Sequence, residues 1–555
     1  MILVLAEKPS VARDIARVLG VSGRSKGFLE GDGIRVSWCH GHMAELVEPA
    51  HYDPDWKVWA LNRLPMLPDR FALQVRSGAK EQFAVLRKLL RAKGISEVVN
   101  ACDAGREGEL IFRYVYELAG CKAPVTRLWV ASLTDRALRQ AWSQRKPGGQ
   151  FDSLADAARS RSEADWLVGL NATRALTCLA RQAGGGNLMS LGRVQTPTLA
   201  MIVGRDREIA AFQPEPFWTV KAPLTAQVPG VEGPVQWQGV FFQPGGAGGP
   251  AEKKAAAEER LSSEAAARAI CAALTGQTGT VTTSQRRPKT ERPPLLHDLT
   301  SLQRRANQRY GFSAKRTLEI AQVLYERHKL ITYPRTDARK ITPDEVGLLP
   351  GILDALAKVP VYAPHCDALR RAGPPRPGKR VVDASEVGDH HAILPTDRVP
   401  SSASLSPDEK RIYDLIARRL LAALSPDARF ETTTLIVEVP PVADIELPEP
   451  IVAPLRLRAR GRVCLDPGWQ AVEPPKRKKD RDLPPIPAGT EAQVGATEVG
   501  SGETRPPPHH NDASILQAME TAGRQLDDRE LARAMRGAGL GTPATRASIL
   551  QTLVH

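Results

Sequence analysis

Two places in this chain run an apolar strand directly into acidic residues and then into a helix. Ile2–Leu5 reads as a strand, Glu7-Lys8-Pro9-Ser10 as a turn with a good helix start. Val11, Ile15, Val18 and Leu19 then give an apolar helical face closed by Gly20. Glu97–Cys102 repeats the pattern. Asp103-Ala-Gly-Arg-Glu-Gly-Glu109 follows it, with Leu110, Ile111, Val115 and Leu118 on a helix ending at Gly120. Such alternation predicts an open α/β sheet, and these sheets collect ligands beyond the carboxyl ends of their strands. Glu7 sits at one such edge, Asp103 and Glu107 at another. Oxygen-only donors suit Mg²⁺, which keeps several waters and shares the rest of its shell with phosphate. An acid at a helix start is also an ordinary dipole partner, so each junction alone has a structural explanation. Two together favour a metal.

The stretch Leu330-Ile-Thr-Tyr-Pro-Arg-Thr-Asp337 is the second constraint. Leu330 and Ile331 read as the end of a strand, and Pro334 stops regular hydrogen bonding while biasing Tyr333 towards an extended conformation. In an extended run, residues i and i+2 share a side, so Tyr333 and Arg335 face one phosphate. A phenol with a reference pKa near ~10 needs a cation or a base before it acts as a nucleophile. For a lone Tyr-Pro-Arg, a half-buried tyrosine beside a surface arginine is the better reading. The choice depends on metal-binding acids and a nucleic-acid surface elsewhere.

Composition supplies the second of these. Lys plus Arg is 76 against 62 for Asp plus Glu, a net charge of +14, which favours a polyanionic partner. An anionic membrane surface would satisfy the same excess, but no apolar run approaches the ~20 residues that span a bilayer. At 555 residues the chain exceeds the ~250–300 of a single core, so several domains are expected. The N-terminal apolar stretch is too short for a signal peptide. The 7 cysteines never form Cys-x-x-Cys, which disfavours structural zinc and a disulfide framework. Cys39-His40-Gly41-His42 is too crowded for a usual zinc site and reads as structural. A reduced, cytoplasmic protein is expected. There is no Gly-x-x-x-x-Gly-Lys phosphate loop.

Residues 151–215 read as mostly helical, with Arg174 on an amphipathic helix. Thr196-Pro197 and Thr542-Pro543 read as N-cap and first helical residue, a device whose free N–H groups hold phosphate as readily as they go without a ligand. Arg193 and Gln195 tilt the first towards a phosphate ligand. From Phe217 to about Thr283 alternation suggests strands, interrupted by a flexible Gly245–Pro250 insertion with Lys253 and Lys254. Leu299–Tyr310 and Ala314–Glu326 read as two helices, the first ended by Gly311 and the second capped by Ser313. Arg304, Arg305, Lys315 and Arg316 make them basic. Arg370–Arg380 is a loop, and strands return over about 405–490. Lys476-Arg-Lys-Lys479 is solvated charge in a Pro-rich linker.

Together, Glu7 after the first strand, Asp-x-Gly-x-Glu after a later one and Tyr333-Pro-Arg-Thr-Asp337 resemble the type IA DNA topoisomerases, in their bacterial topoisomerase III branch. Asp165-Trp-Leu-Val-Gly-Leu-Asn-Ala-Thr-Arg174, Ser190-Leu-Gly-Arg-Val-Gln-Thr-Pro197, His390-His-Ala-Ile-Leu-Pro-Thr396 and Gly541-Thr-Pro-Ala-Thr-Arg546 extend the resemblance over nearly the whole chain. It implies a multidomain α/β plus α and β architecture. A Toprim domain (1–150) joins a helical DNA-binding domain (151–215 with 490–555), a strand-rich arch (216–283 with 405–489) and a helix-turn-helix-like domain carrying the tyrosine (284–404), forming a toroid.

The resemblance also implies ATP-independent, Mg²⁺-dependent cleavage of single-stranded DNA through a 5′-phosphotyrosyl link, strand passage and resealing. Tyr333 would be the nucleophile. Arg335 would stabilise phosphate charge, Lys8 would serve the leaving oxygen, and Glu7, Asp103 and Glu107 would hold Mg²⁺. Arg174, Ser190, Arg193, Gln195, Thr196 and His390 would contact DNA. The family usually shows Asp-x-Asp-x-Glu; Gly105 removes one oxygen ligand, so a single Mg²⁺ is expected. The implied setting is a bacterial, nucleoid-associated monomer with duplex DNA in its central hole, working with a RecQ-type helicase and single-strand-binding protein. The 245–250 insertion resembles by position a loop that separates linked circles. The end at His555, inside a helical pattern, suggests a missing C-terminal extension. A Toprim-type primase or nuclease would share the acids but have no use for Tyr333. A non-catalytic single-strand-binding protein would leave the acids without purpose, and a topoisomerase I remains a further alternative.

Overall fold

The computed structural model describes residues 1–130, 133, 135–244, 257–373, 377–387, 390–400, 404–440, 451, 454–475, 482–525, 530 and 539–554. The Gly245–Pro250 insertion, Lys253, Lys254 and the Lys476–Lys479 run lie outside them, as does part of the 370–380 loop. The chain divides into two units: residues 1–203, 295–421 and 510–555 in one, 204–294 and 422–509 in the other.

In the first unit, Ile2–Ala6 is the centre of a seven-stranded mixed sheet. It pairs in parallel with Ile34–Trp38 on one side and Glu97–Ala101 on the other. Leu3, Leu5 and Val98 are fully buried against Leu86, Phe112 and Val115, and a strand covered on both faces reads as the continuous apolar run seen in the sequence. Register matters most here. Ala6 lies opposite Ala101, so Glu7 and the Cys102-Asp103 turn leave neighbouring strands at the same edge. The following helices are Pro9–Val18 and Arg106–Ala119, the second closed by Gly120 in the left-handed region at φ 64.

The helical part of this unit begins with the 31-residue helix Asp152–Gln182. Leu299–Tyr310 is capped by Asp298, which accepts from the Ser301 N–H at 2.7 Å, and ends at Gly311 with φ 72. Ala314–Glu326 is capped by Ser313. The last two helices pack Leu299 and Leu318 into one core with Leu516 and Met519 of the helix Asp512–Glu520. The expected strand at Leu330–Ile331 is not formed. Ile331 makes an isolated bridge to Pro395, with Thr332 N–H donating to the Leu394 carbonyl and Thr396 N–H to that of Leu330. Pro334 and Pro395 each lack the N–H that would extend a ladder, so the segment is extended without belonging to a sheet. Thr542 and Pro543 do begin the helix Pro543–Val554. Thr196 does not cap its helix, which starts at Gln195; its hydroxyl accepts from the Gly192 N–H at 3.1 Å.

The second unit holds a seven-stranded antiparallel sheet, with Ala428–Val439 and Thr278–Glu291 its longest pairing. Pro216–Ala226 also pairs with Val235–Phe241, closing the sheet on itself. Val220, Ala222, Leu224, Leu435, Val437 and Leu457 face inward with Ile270 and Leu274 of the helix Glu264–Leu274, the alternation visible in the sequence. Among the described residues no helix is long and apolar enough to cross a membrane.

One buried network fixes the site edge of the mixed sheet. Arg127, 1% exposed, pairs with Glu109, 2% exposed, at 3.2 Å. Its guanidinium also donates to the carbonyls of Asn100, Cys102, Leu128 and Asp103. Glu109 accepts further from Asn100 and Arg113. Removing one member strands a buried charge, which costs ~3–5 kcal/mol. Glu109→Ala should therefore lower the stability of this unit by that amount in urea denaturation.

Candidate active site

The site is assembled at the sheet edge that carries Glu7 and Asp103. Gly108, in the first turn of the helix Arg106–Ala119, packs directly on the Asp103 backbone; a Cβ there would lie 2.0 Å from the Asp103 carbonyl oxygen. Only glycine permits that approach. The tyrosine arrives from the other side. The Tyr333 hydroxyl donates to Asp103 Oδ2 at 3.2 Å. Its ring sits edge-on to Tyr325, with centroids 5.4 Å apart, and against the His390 imidazole at 4.3 Å.

Charge is crowded at this point. Lys8 Nζ lies 2.9 Å from Glu326, 3.8 Å from Asp103 and 4.0 Å from Glu7. Burial works against the ammonium, but Asp103, Glu7 and Glu326 outweigh it and hold its pKa above the ordinary lysine value. Burial, and then the Asp103 charge, push the Glu7 carboxyl up to about 7 against the opposing pull of Lys8 and Arg335. Burial and Asp103 likewise raise the Tyr333 phenol well above its usual value, with Arg335 opposing. The resting tyrosine is therefore a neutral hydrogen-bond donor. His390 is buried, neither ring nitrogen has a hydrogen-bond partner among the described residues, and desolvation brings its pKa down to about 3. It is a neutral imidazole at physiological pH.

A cavity of about 100 Å³ is lined by Glu7, Asp103, Glu107, Tyr333, Arg335 and His390, among others. A larger one, about 770 Å³, shares Arg106, Arg161, Asp337, Thr542 and Pro543 with it and reaches Arg193 and Arg546. The structure thus brings together Glu7, Lys8, Asp103, Glu107, Tyr333, Arg335 and His390, and places Arg193 on the adjoining groove. Arg174, Ser190, Gln195 and Thr196 lie outside the walls of both cavities. Arg174 is buried, its guanidinium 5.1 Å from the Trp59 ring centre and donating to the Trp56 carbonyl. Ser190 is exposed.

Glu7 and Asp103 offer oxygen donors whose mutual repulsion a cation would relieve, and this donor chemistry fits Mg²⁺. Glu107 faces the same cavity but is held by His42 at 3.3 Å, a hydrogen bond that lowers its pKa. Among the described residues no group of three or more His, Cys, Asp or Glu converges as a ready metal cluster. Sequence reasoning missed Glu326, Tyr325 and the Arg127–Glu109 pair. Glu326 ends the helix before Tyr333, but it meets Lys8 across 318 residues of chain, and no local spacing announces that contact.

With this geometry in place, the relatives are informative. A sequence model of the DNA topoisomerase family matches residues 149–555, and one of the Toprim domain matches residues 2–133. DNA topoisomerase 3 of Bacillus subtilis strain 168 is 37% identical over 563 residues, covering 100% of this chain and 72% of that protein. DNA topoisomerase 3 of Bacillus cereus strain ATCC 14579 is 38% identical over 564 residues, with the same coverage. Full-length topoisomerase I of Thermotoga maritima superposes with a TM-score of 0.66 at 20% identity, covering 100% of this chain and 78% of that one, a likeness of fold.

The raised Glu7 pKa has a sign that can be checked. The folded chain holds this proton up to about pH 7, whereas the unfolded chain releases it near 4.5. Glu7 therefore disfavours folding progressively as pH rises from 4.5 through 7. Glu7→Gln should match the wild type below pH ~4.5 and exceed it by roughly 3 kcal/mol above pH 7 in denaturant titrations. Asp103→Asn should move the Glu7 carboxyl midpoint downward in ¹³C NMR.

Proposed function

The chain belongs to the DNA topoisomerase family, in its type IA branch alongside the enzymes named DNA topoisomerase 3, and on that premise we propose that it cleaves single-stranded DNA by transesterification to Tyr333, passes a strand and reseals the break. The observation that carries this reading is the Tyr333 hydroxyl on Asp103, with the Lys8 ammonium against the same carboxylate. Tyr333 Oη attacks a backbone phosphorus in line. The P–O3′ bond breaks, leaving a 5′-phosphotyrosyl ester and a 3′-hydroxyl. Asp103 Oδ2 orients the phenol and is the nearest acceptor for its proton.

Lys8, kept charged by its three acids, gives a proton to the departing 3′ oxygen, and the reverse transfer restores both groups on resealing. Arg335 sets its guanidinium against the non-bridging oxygens. His390, a neutral imidazole, offers one N–H to the same phosphate. Glu7 and Asp103, with Glu107 released from His42 or acting through water, would hold Mg²⁺, which would supply charge neutralisation at the phosphate. Ester energy is conserved in the tyrosyl link, so no nucleotide is consumed.

The scissile strand approaches along the 770 Å³ groove, where Arg106, Arg161 and Arg193 meet its phosphates. Passage of a second strand requires the Tyr333 segment to part from the Glu7–Lys8 edge, a motion of the microsecond-to-second class. We place this activity in the bacterial cytoplasm, in a monomer.

Purified protein should relax negatively supercoiled plasmid with Mg²⁺ and without ATP, and EDTA should stop it. Tyr333→Phe should abolish relaxation while single-strand affinity stays within about twofold. Lys8→Ala should slow cleavage by ~10²–10⁴. Relaxation surviving in Tyr333→Phe overturns the assignment.

A further inference from the structure

We propose that Asp14 and Lys329 form a strut across the cleavage gate that keeps cut DNA ends within resealing distance, an inference that rests on the cleavage reaction proposed above. Lys329 has φ 57, the left-handed region in which a residue with a Cβ is at a disadvantage and glycine or asparagine is at ease. The chain nonetheless carries lysine there. Its ammonium reaches the carboxylate of Asp14, and the two side chains are only 11% and 19% exposed. Its own carbonyl accepts from the Thr396 hydroxyl at 2.7 Å, which fixes the turn.

The placement gives the pair its role. Asp14 lies on the helix Pro9–Val18, which begins directly after Lys8. Lys329 lies just upstream of Tyr333. The strut therefore ties together the two segments that must separate for a strand to pass. Lys8 with Glu326 and Tyr333 with Asp103 also cross this seam, beside the stacked rings of Trp129 and His390. Both hydrogen bonds involve groups that the reaction consumes: the phenol becomes esterified and the ammonium hands over its proton. Asp14 and Lys329 touch no reacting atom, so their attraction persists through the covalent state. Arg17, 3.5 Å from Asp14 on its exposed side, adds a second cation to that carboxylate.

This predicts an asymmetry. Before cleavage the intact strand bridges the two sides, whatever the strut does. After cleavage only protein contacts hold them, so loss of the strut should slow resealing much more than cleavage. Lys329→Asn suits the left-handed backbone while removing the charge, and Asp14→Asn removes the partner. Rapid-quench rates on an end-labelled single-stranded oligonucleotide should show resealing slowed roughly 5- to 10-fold in each variant, the size of a partly buried ion pair. Cleavage should stay within about twofold, the trapped covalent adduct should accumulate, and the melting temperature should hold. The double variant should be no slower than either single one, and Lys329→Arg should reseal normally.

Equal slowing of both steps, a fall in melting temperature, or additive single effects would overturn the strut. Absence of any adduct from the wild type would instead overturn the cleavage reading, and the strut with it.

Discussion

The Tyr333 hydroxyl meets an Asp103 carboxylate that shares one lysine with two other acids. Glu7, Asp103 and Glu326 would repel each other without the Lys8 ammonium between them, and even with it Glu7 keeps its proton to about pH 7. A phenol buried among rings beside the Asp103 carboxyl stays protonated. The site is thus a charge-balanced assembly with its proton donors in place. The arrival of a phosphodiester and a divalent cation would change the balance, drawing on groups that are already in contact.

The fold supplies that assembly through backbone register. Parallel pairing puts Ala6 beside Ala101, and the two turns that follow deliver Glu7 and Asp103 to one edge. Gly108 lets the helix after Asp103 close onto it, and the Arg127 guanidinium gathers the carbonyls of Asn100, Cys102 and Asp103 beneath it. The tyrosine side is built differently. Its segment hangs between a capped helix and the bridge to Pro395, anchored by Thr332, Leu394 and Thr396 rather than by a sheet. A rigid acidic edge facing a more lightly tethered nucleophile is an arrangement suited to opening.

Much of this was legible in the sequence. The strands at Ile2 and Glu97, the Asp298 region helices with Gly311 and Ser313, and the acids at both junctions follow from periodicity and local capping chemistry, which depend on neighbours in the chain. What was not legible depends on partners far apart. Lys8 meeting Glu326 and Lys329 meeting Asp14 have no local signature. The Leu330–Ile331 strand failed because its partner at Ile331 is Pro395, which has no N–H to extend a ladder, a fact of pairing that a single segment does not reveal. Thr196 missed the cap because the helix starts at Gln195, which leaves Val194, two residues earlier, at the cap position.

Identification of the residue that becomes covalently joined to DNA tests the central claim most directly. After denaturant quench of a reaction on an end-labelled single-stranded oligonucleotide, proteolysis and mass spectrometry of the labelled peptide should find the 5′-phosphate on Tyr333, within the peptide that carries Leu330–Asp337. A nucleotide-linked peptide from any other part of the chain, or label that remains wholly free of protein in the presence of Mg²⁺, would contradict the account.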